Sequence, residues 1–135
     1  MRKQSITFLL VSVIICASFL INPVRSADLP ELETGKGMVV FYRLGKFGGG
    51  AIRFNLNHAE GFMGQLLNDT WLYKSVEPGA HTFWSQVVSQ DSITISVEAG
   101  KTYYVQGVVK MGLVAGRPTF IQVSEQDGLK DLAGL

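Results

Sequence analysis

The chain has 135 residues, with 12 basic and 11 acidic side chains, one cysteine and 15 glycines. That length suits one domain with one modest core. Three basic residues, Arg2, Lys3 and Arg25, lie in an apolar N-terminal segment; all 11 acidic residues lie beyond it and outnumber the basic ones left, so no basic footprint argues for nucleic acid as a partner.

Residues 1–26 have the layout of a secretory signal peptide. Arg2 and Lys3 precede the almost wholly apolar run Ile6 to Ile21, and Pro23 and Val24-Arg25-Ser26 follow. Val24 and Ser26 occupy the two positions that a leader peptidase reads, so cleavage after Ser26 is expected. The alternative is an uncleaved membrane anchor, but the run is shorter than the roughly 20 residues a spanning helix needs. Cys16 follows Ile15, where lipid attachment would need a small residue. A chain starting at Ala27 contains no cysteine, hence no disulfide and no thiolate metal site.

Residues 27–36 carry Asp28, Pro30, Glu31, Glu33 and Gly35 and read as a flexible lead-in to a domain over residues 37–135. Met38 to Arg43 is a first strand, apolar on both faces until Arg43, which suits a central position. The Gly48-Gly49-Gly50 loop invites a phosphate-cradle reading, but such glycines must open a helix. Ile52, Phe54 and Leu56 alternate instead with Arg53, Asn55 and Asn57, so a hairpin leading into a strand over Ala51 to Asn57 is expected. His58 falls in the turn that follows.

Phe62 to Leu67 and Thr70 to Val76 are further strands, separated by an Asn68-Asp69 turn. Pro78-Gly79 has the residues of a type II turn and launches Ala80 to Val88. Ser92 to Glu98 alternates cleanly, with Ile93, Ile95 and Val97 on one face. Gly100-Lys101 turns the chain into Thr102 to Lys110. A loop over Met111 to Pro118 precedes the strand Thr119 to Val123. Ser124 then stands where it caps a short helix with Asp127 at its third position, a relative of the capping box that Gly128 weakens.

About eight short strands with no long helix between them predict an all-β fold, a mostly antiparallel two-sheet sandwich with a short C-terminal helix. Phe83 and Tyr103 are expected in the core. Adjacent aromatics such as Phe83-Trp84 and Tyr103-Tyr104 must face opposite ways on a strand. The outward member of each pair is then either exposed or covered, for instance by the C-terminal segment.

The candidates for chemistry are weak. Gly100-Lys101-Thr102 lacks the earlier glycine of a nucleotide loop, since Ile95 stands there. His58 and His81 have no acidic residue at metal-ligand spacing. Ser85, Ser89, Ser92 and Asp91 lie near His81 in sequence, but none sits in a nucleophile elbow. No catalytic residue, cofactor or metal is expected. The best interaction candidates are the loop residues Met111, Leu113, Val114 and Arg117, with the Gly48 to Gly50 loop, because binding residues ride on loops held by a rigid scaffold.

Val40-Phe41-Tyr42-Arg43, Glu77 to Phe83, Ala99 to Tyr104, Val109 to Gly112 and Gly116-Arg117-Pro118 together resemble a bacterial envelope family known only as a domain of unknown function. The Pro78-Gly79-Ala80-His81 and Gly100 to Tyr104 pieces are also similar to PEGA-type repeats, which are small envelope β-sandwiches. The resemblance implies a bacterial, exported, non-enzymatic β-sandwich, and it carries no catalytic residue over. Members are often lipid-anchored; the context of Cys16 departs from that pattern. The expected role is a binding or interaction module of the cell envelope or periplasm, with an envelope protein or surface component as partner. Contact with a membrane would come only through a retained leader. The alternatives are a structural subunit that associates through an edge strand and a small envelope hydrolase using His81.

Overall fold

The computed structural model describes residues 28–86, 90–111 and 116–135, so the expected leader and the expected cleavage after Ser26 lie outside the described residues. In order come β1 (Gly37–Arg43), β2 (Phe54–His58), β3 (Gly61–Leu66), β4 (Thr70–Val76), β5 (Gly79–Gln86), β6 (Gln90–Val97), β7 (Thr102–Met111), β8 (Gly116–Val123) and α1 (Glu125–Leu132). They form two four-stranded sheets, β4-β1-β7-β8 and β3-β2-β5-β6.

β1 is buried along its whole length because it is covered on both faces. Its alternation divides the apolar residues between two clusters. Val39 and Phe41 point between the sheets, where Phe54, Leu56, Phe83, Ile95, Val105 and Phe120 join them. Met38, Val40 and Tyr42 point the other way, onto a second cluster with Tyr104 and Leu132. Phe41 and Phe83 meet edge to face at 4.9 Å, and Phe41 and Phe120 at 6.0 Å. Such offset geometry suits ring quadrupoles.

α1 closes the second cluster. Ser124 caps it by accepting from the Asp127 N–H at 3.1 Å. Asp131 accepts the Tyr42 hydroxyl proton at 2.7 Å. Gly128 has a packing reason, since a Cβ there would lie 2.4 Å from the Tyr104 ring. The residue that weakens the helix locally is therefore what lets it sit flat on the sheet. Leu29, from the lead-in, packs at the same cluster. Tyr103 and Tyr104 thus face opposite ways, with the C-terminal segment covering Tyr104. Tyr103 itself is half-buried rather than core, and its hydroxyl accepts from the Glu98 N–H at 2.9 Å. It lies at the start of β7, where the phenol reaches the polar rim. Of the other pair, Phe83 is fully buried and Trp84 is half-buried on the far face.

Four expectations change in detail. β1 and β7 are parallel, pairing Met38 with Thr102 through Tyr42 with Gln106. The crossover is not a helix: the chain lays down all of the second sheet before it returns. The Gly48 to Gly50 stretch is no hairpin, because β1 and β2 belong to different sheets and the loop crosses between them. His58 ends β2 in a buried position instead of lying in a turn, since a register shift after Leu56 keeps it paired with Gly61 and Phe83. β8 also begins earlier than expected and takes in Pro118, which an edge strand tolerates.

Candidate functional site

The last residue of β1 organises one end of the sandwich. Arg43 is only 3% exposed, although it has no carboxylate partner among the described residues. Its guanidinium donates to the carbonyls of Gly49 at 3.1 Å, Leu66 at 3.3 Å and Ile52. The charge lies 4.5 Å over the Phe54 ring centre. Burial lowers its pKa from the ordinary arginine value, yet the group stays cationic at neutral pH, because a guanidinium in a protein is effectively always protonated there. Sequence reasoning read Arg43 only as the point where the strand turns polar. The glycine loop therefore serves the arginine: it turns carbonyls inward, the opposite of the N–H display that a phosphate cradle requires. Gly49 adopts φ +75 and lies against Val109, where a Cβ would approach to 3.0 Å.

That contact joins the two loops singled out in the sequence. Gly116, at the foot of the other loop, is pressed on Ile52 and Val109. Lys110 pairs with Arg117 and Met111 with Gly116 at the end of the β7–β8 hairpin. Met111 is 74% exposed and Arg117 is exposed, while Leu113 and Val114 lie outside the described residues. Between the glycine loop and β7 runs a cleft of about 260 Å³, lined by Arg43, Leu44, Lys46, Gly48 and the β7 segment Gln106 to Val109. Sequence reasoning missed Phe47, which stands wholly exposed at the tip of the glycine loop. An aromatic between Lys46 and three glycines, in a loop between strands, is the signal that marks it.

The two histidines form the other polar cluster, near the opposite end. His81 Nε2–H donates to the Glu77 carbonyl at 2.7 Å, so its Nδ1 accepts, and His58 Nε2–H fills it at 3.0 Å. His58 Nδ1 then faces the Glu60 N–H at 3.5 Å. The His58 ring stacks on Phe83 at 4.9 Å. The three contacts are thus consistent with a single tautomer order. A proton added at either Nδ1 would oppose an N–H already there. Among the described residues no group of three or more His, Cys, Asp or Glu side chains could hold a metal ion.

This cluster makes stability depend on pH. Burial, then His81 and Lys74, lower the His58 pKa, and Glu60 opposes them weakly. The unfolded chain therefore takes up a proton first as pH falls through about 6.5, and the folded state follows only lower down. The stability contribution is complete above about 6.5 and is lost on acidification below it. The melting temperature is expected to fall by several degrees between pH 7 and pH 5, before the carboxylates titrate. His58→Gln, which keeps an N–H for His81, should flatten that slope. Parallel curves for the two proteins would contradict this account.

Comparison with known proteins places the chain among uncharacterised relatives. It is 30% identical over 104 residues to an uncharacterized protein of Haemophilus influenzae, covering 76% of this chain and 61% of that protein. The chain thus spans about three-fifths of that relative's length. No solved structure matches the chain. A family model matches residues 33–128, from the lead-in through Gly128 of α1, and takes in both sheets and the buried arginine. The chain belongs to the protein family of unknown function DUF2846.

Proposed function

We propose that the chain is an exported, non-enzymatic binding module of the bacterial cell envelope, and that it binds through the end of the sandwich where the glycine loop meets the β7–β8 hairpin. The observation that carries this is the juxtaposition itself. Two segments far apart in sequence are held together by the Gly49–Val109 and Gly116–Ile52 contacts, with Arg43 bracing the glycine loop from within. They present Phe47, Met111 and Arg117 to solvent at that end. A rigid scaffold with adaptable, exposed tips is the usual arrangement of binding loops. The likeness of the Pro78-Gly79 and Gly100-Lys101 turns to PEGA-type repeats agrees with an envelope role.

The histidine geometry supports the non-enzymatic reading. Both ring nitrogens of His81 are engaged, by His58 and by the Glu77 carbonyl. Ser85 lies four residues along the same extended strand, about 13 Å away, with its hydroxyl buried and without a partner. Edge-strand association is less well supported. Asp91 of β6 accepts from the Phe120 N–H of β8 at 2.8 Å, and Glu60 pairs with Lys74 of β4 at 2.6 Å. These links bridge the open sides of the sandwich, and bridged edges are poor templates for a further strand. Among the described residues no helix is long and apolar enough to cross a membrane.

Site-specific photocrosslinking in cells tests the site. A crosslinker at Phe47 or Met111 is expected to capture a component of the envelope, and one at Thr94, on the outer face of the second sheet, is not. The reverse pattern would move the binding site to that face.

A further inference from the structure

The tip of the loop end exposes apolar side chains that the fold does not use. Phe47 is wholly exposed, Met111 is 74% exposed and Leu67, in the β3–β4 turn, is 40% exposed. Clustered exposed apolar groups mark contact surfaces rather than solvent-facing loops. Basic residues surround them. Lys46, Arg53, Lys110 and Arg117 all belong to this end, and none makes an ion pair among the described residues. Lys110 and Arg117 stand opposite each other across β7 and β8, a pairing of like charges that an external anion would relieve.

The acidic residues are mostly placed elsewhere. Of those at this end, Asp91 is occupied by the Phe120 N–H, and Asp69 sits in the turn before β4 with φ 58. Asp131, which comes near along β1, accepts from Tyr42. Glu33, Glu60 and Glu98 are paired with Lys36, Lys74 and Lys101 toward the opposite end. A domain with more acidic than basic residues after its leader thus presents a cationic, apolar tip. Residues 28–36 adjoin the opposite end, where Gly100 N–H donates to the Lys36 carbonyl, so they leave the tip uncovered.

We propose that this tip docks on an anionic phospholipid surface. Phe47 and Met111 lodge at the boundary of headgroups and acyl chains, and Lys46, Arg53, Lys110 and Arg117 face the phosphates. The inference rests on the loop end being the binding region and names its partner. A bilayer fits better than an acidic protein because the apolar groups stand on projecting tips beside the cations. A membrane surface offers an apolar layer and an anionic layer within one side-chain length of each other. A flat acidic protein patch satisfies the cations and leaves Phe47 in water.

Vesicle cosedimentation tests this, using the chain from Asp28 onward. Both core clusters, all eight strands and α1 lie within that chain. It is expected to bind phosphatidylglycerol–phosphatidylcholine vesicles and to leave phosphatidylcholine vesicles in the supernatant, with binding weakened by salt. Each basic residue near such a surface contributes about fivefold in affinity. Lys46→Glu with Arg117→Glu is therefore expected to lower affinity by about 25-fold or more. Phe47→Ser should weaken binding while leaving the salt dependence in place. Unchanged melting temperatures would confirm that these surface variants stay folded. Equal binding to neutral vesicles, or indifference to the charge reversals, would overturn the proposal. Retention on immobilised polyglutamate without vesicle binding would overturn the membrane partner and keep the loop end as a binding site. Binding to neither, together with no crosslinks from Phe47, would remove both.

Discussion

Phe83→Ala is expected to destabilise the domain by about 3–5 kcal/mol, a large share of its margin, and to move its unfolding midpoint far below that of the wild type. The ring is fully buried, 4.9 Å from Phe41 on one side and stacked at 4.9 Å on His58 on the other. It therefore belongs both to the inter-sheet core and to the floor under the histidine pair. Neighbours held by two sheets collapse only partly around a missing ring, so a cavity cost adds to the lost transfer energy. The whole margin of such a domain is about 5–15 kcal/mol. Urea titration followed by the fluorescence of Trp71 and Trp84 would measure the loss. A wild-type midpoint would show that the ring is dispensable. Tyr103→Ala should cost less, because that side chain is half-buried and ends in a hydrogen bond at the rim.

Arg43→Ala is expected to cost a comparable amount, about 3–5 kcal/mol, for a different reason. Removing the guanidinium takes a donor from the carbonyls of Gly49, Ile52 and Leu66, of which Gly49 keeps the Ile52 N–H, and each buried polar group left unpaired costs about 1–3 kcal/mol. Partial hydration of the loop brings the total down from the simple sum. The charge over the Phe54 ring adds to the loss, by about 0.5–2 kcal/mol. Arg43→Lys should recover only part of the stability, because one ammonium cannot span three carbonyls as a planar fork does. Arg43→Met keeps most of the packing and separates it from the hydrogen bonding. Loss of the clamp should also open residues 44–53 to proteolysis. If Arg43→Ala melted within a degree of wild type and resisted cleavage in that loop, the clamp would be no more than a surface decoration.

These two residues show how differently the chain discloses itself. The position of Phe83 in the core could be read from alternation alone, because a strand with one wet face sorts its side chains by parity. The same parity argument found both members of the Tyr103-Tyr104 pair on opposite faces, and the cap at Ser124 anticipated α1. The burial of Arg43 could not be read that way. An arginine at a strand end looks like the point where the chain meets water. Only the arrival of three carbonyls from two separate segments, and of the Phe54 ring, makes its burial tolerable. His58 is a similar case: a turn by composition, and a buried, hydrogen-bonded residue once His81 is brought beside it.

The local pattern of residues determined the class of the fold: many short strands, two faces, antiparallel neighbours and a capped C-terminal helix. Those follow from period, turn chemistry and capping, all of which act within a few residues. Tertiary structure decided which strands pair and which loops meet. The parallel pairing of β1 with β7, the crossing of the glycine loop between sheets and its seat against Val109 depend on contacts between residues distant in sequence. The candidate site is of that second kind. Met111 and Arg117 were legible as exposed residues, though they lie at the ends of strands β7 and β8 instead of in a loop, and their union with Phe47 and Lys46 in one cationic, apolar tip exists only because the sandwich carries both segments to the same end.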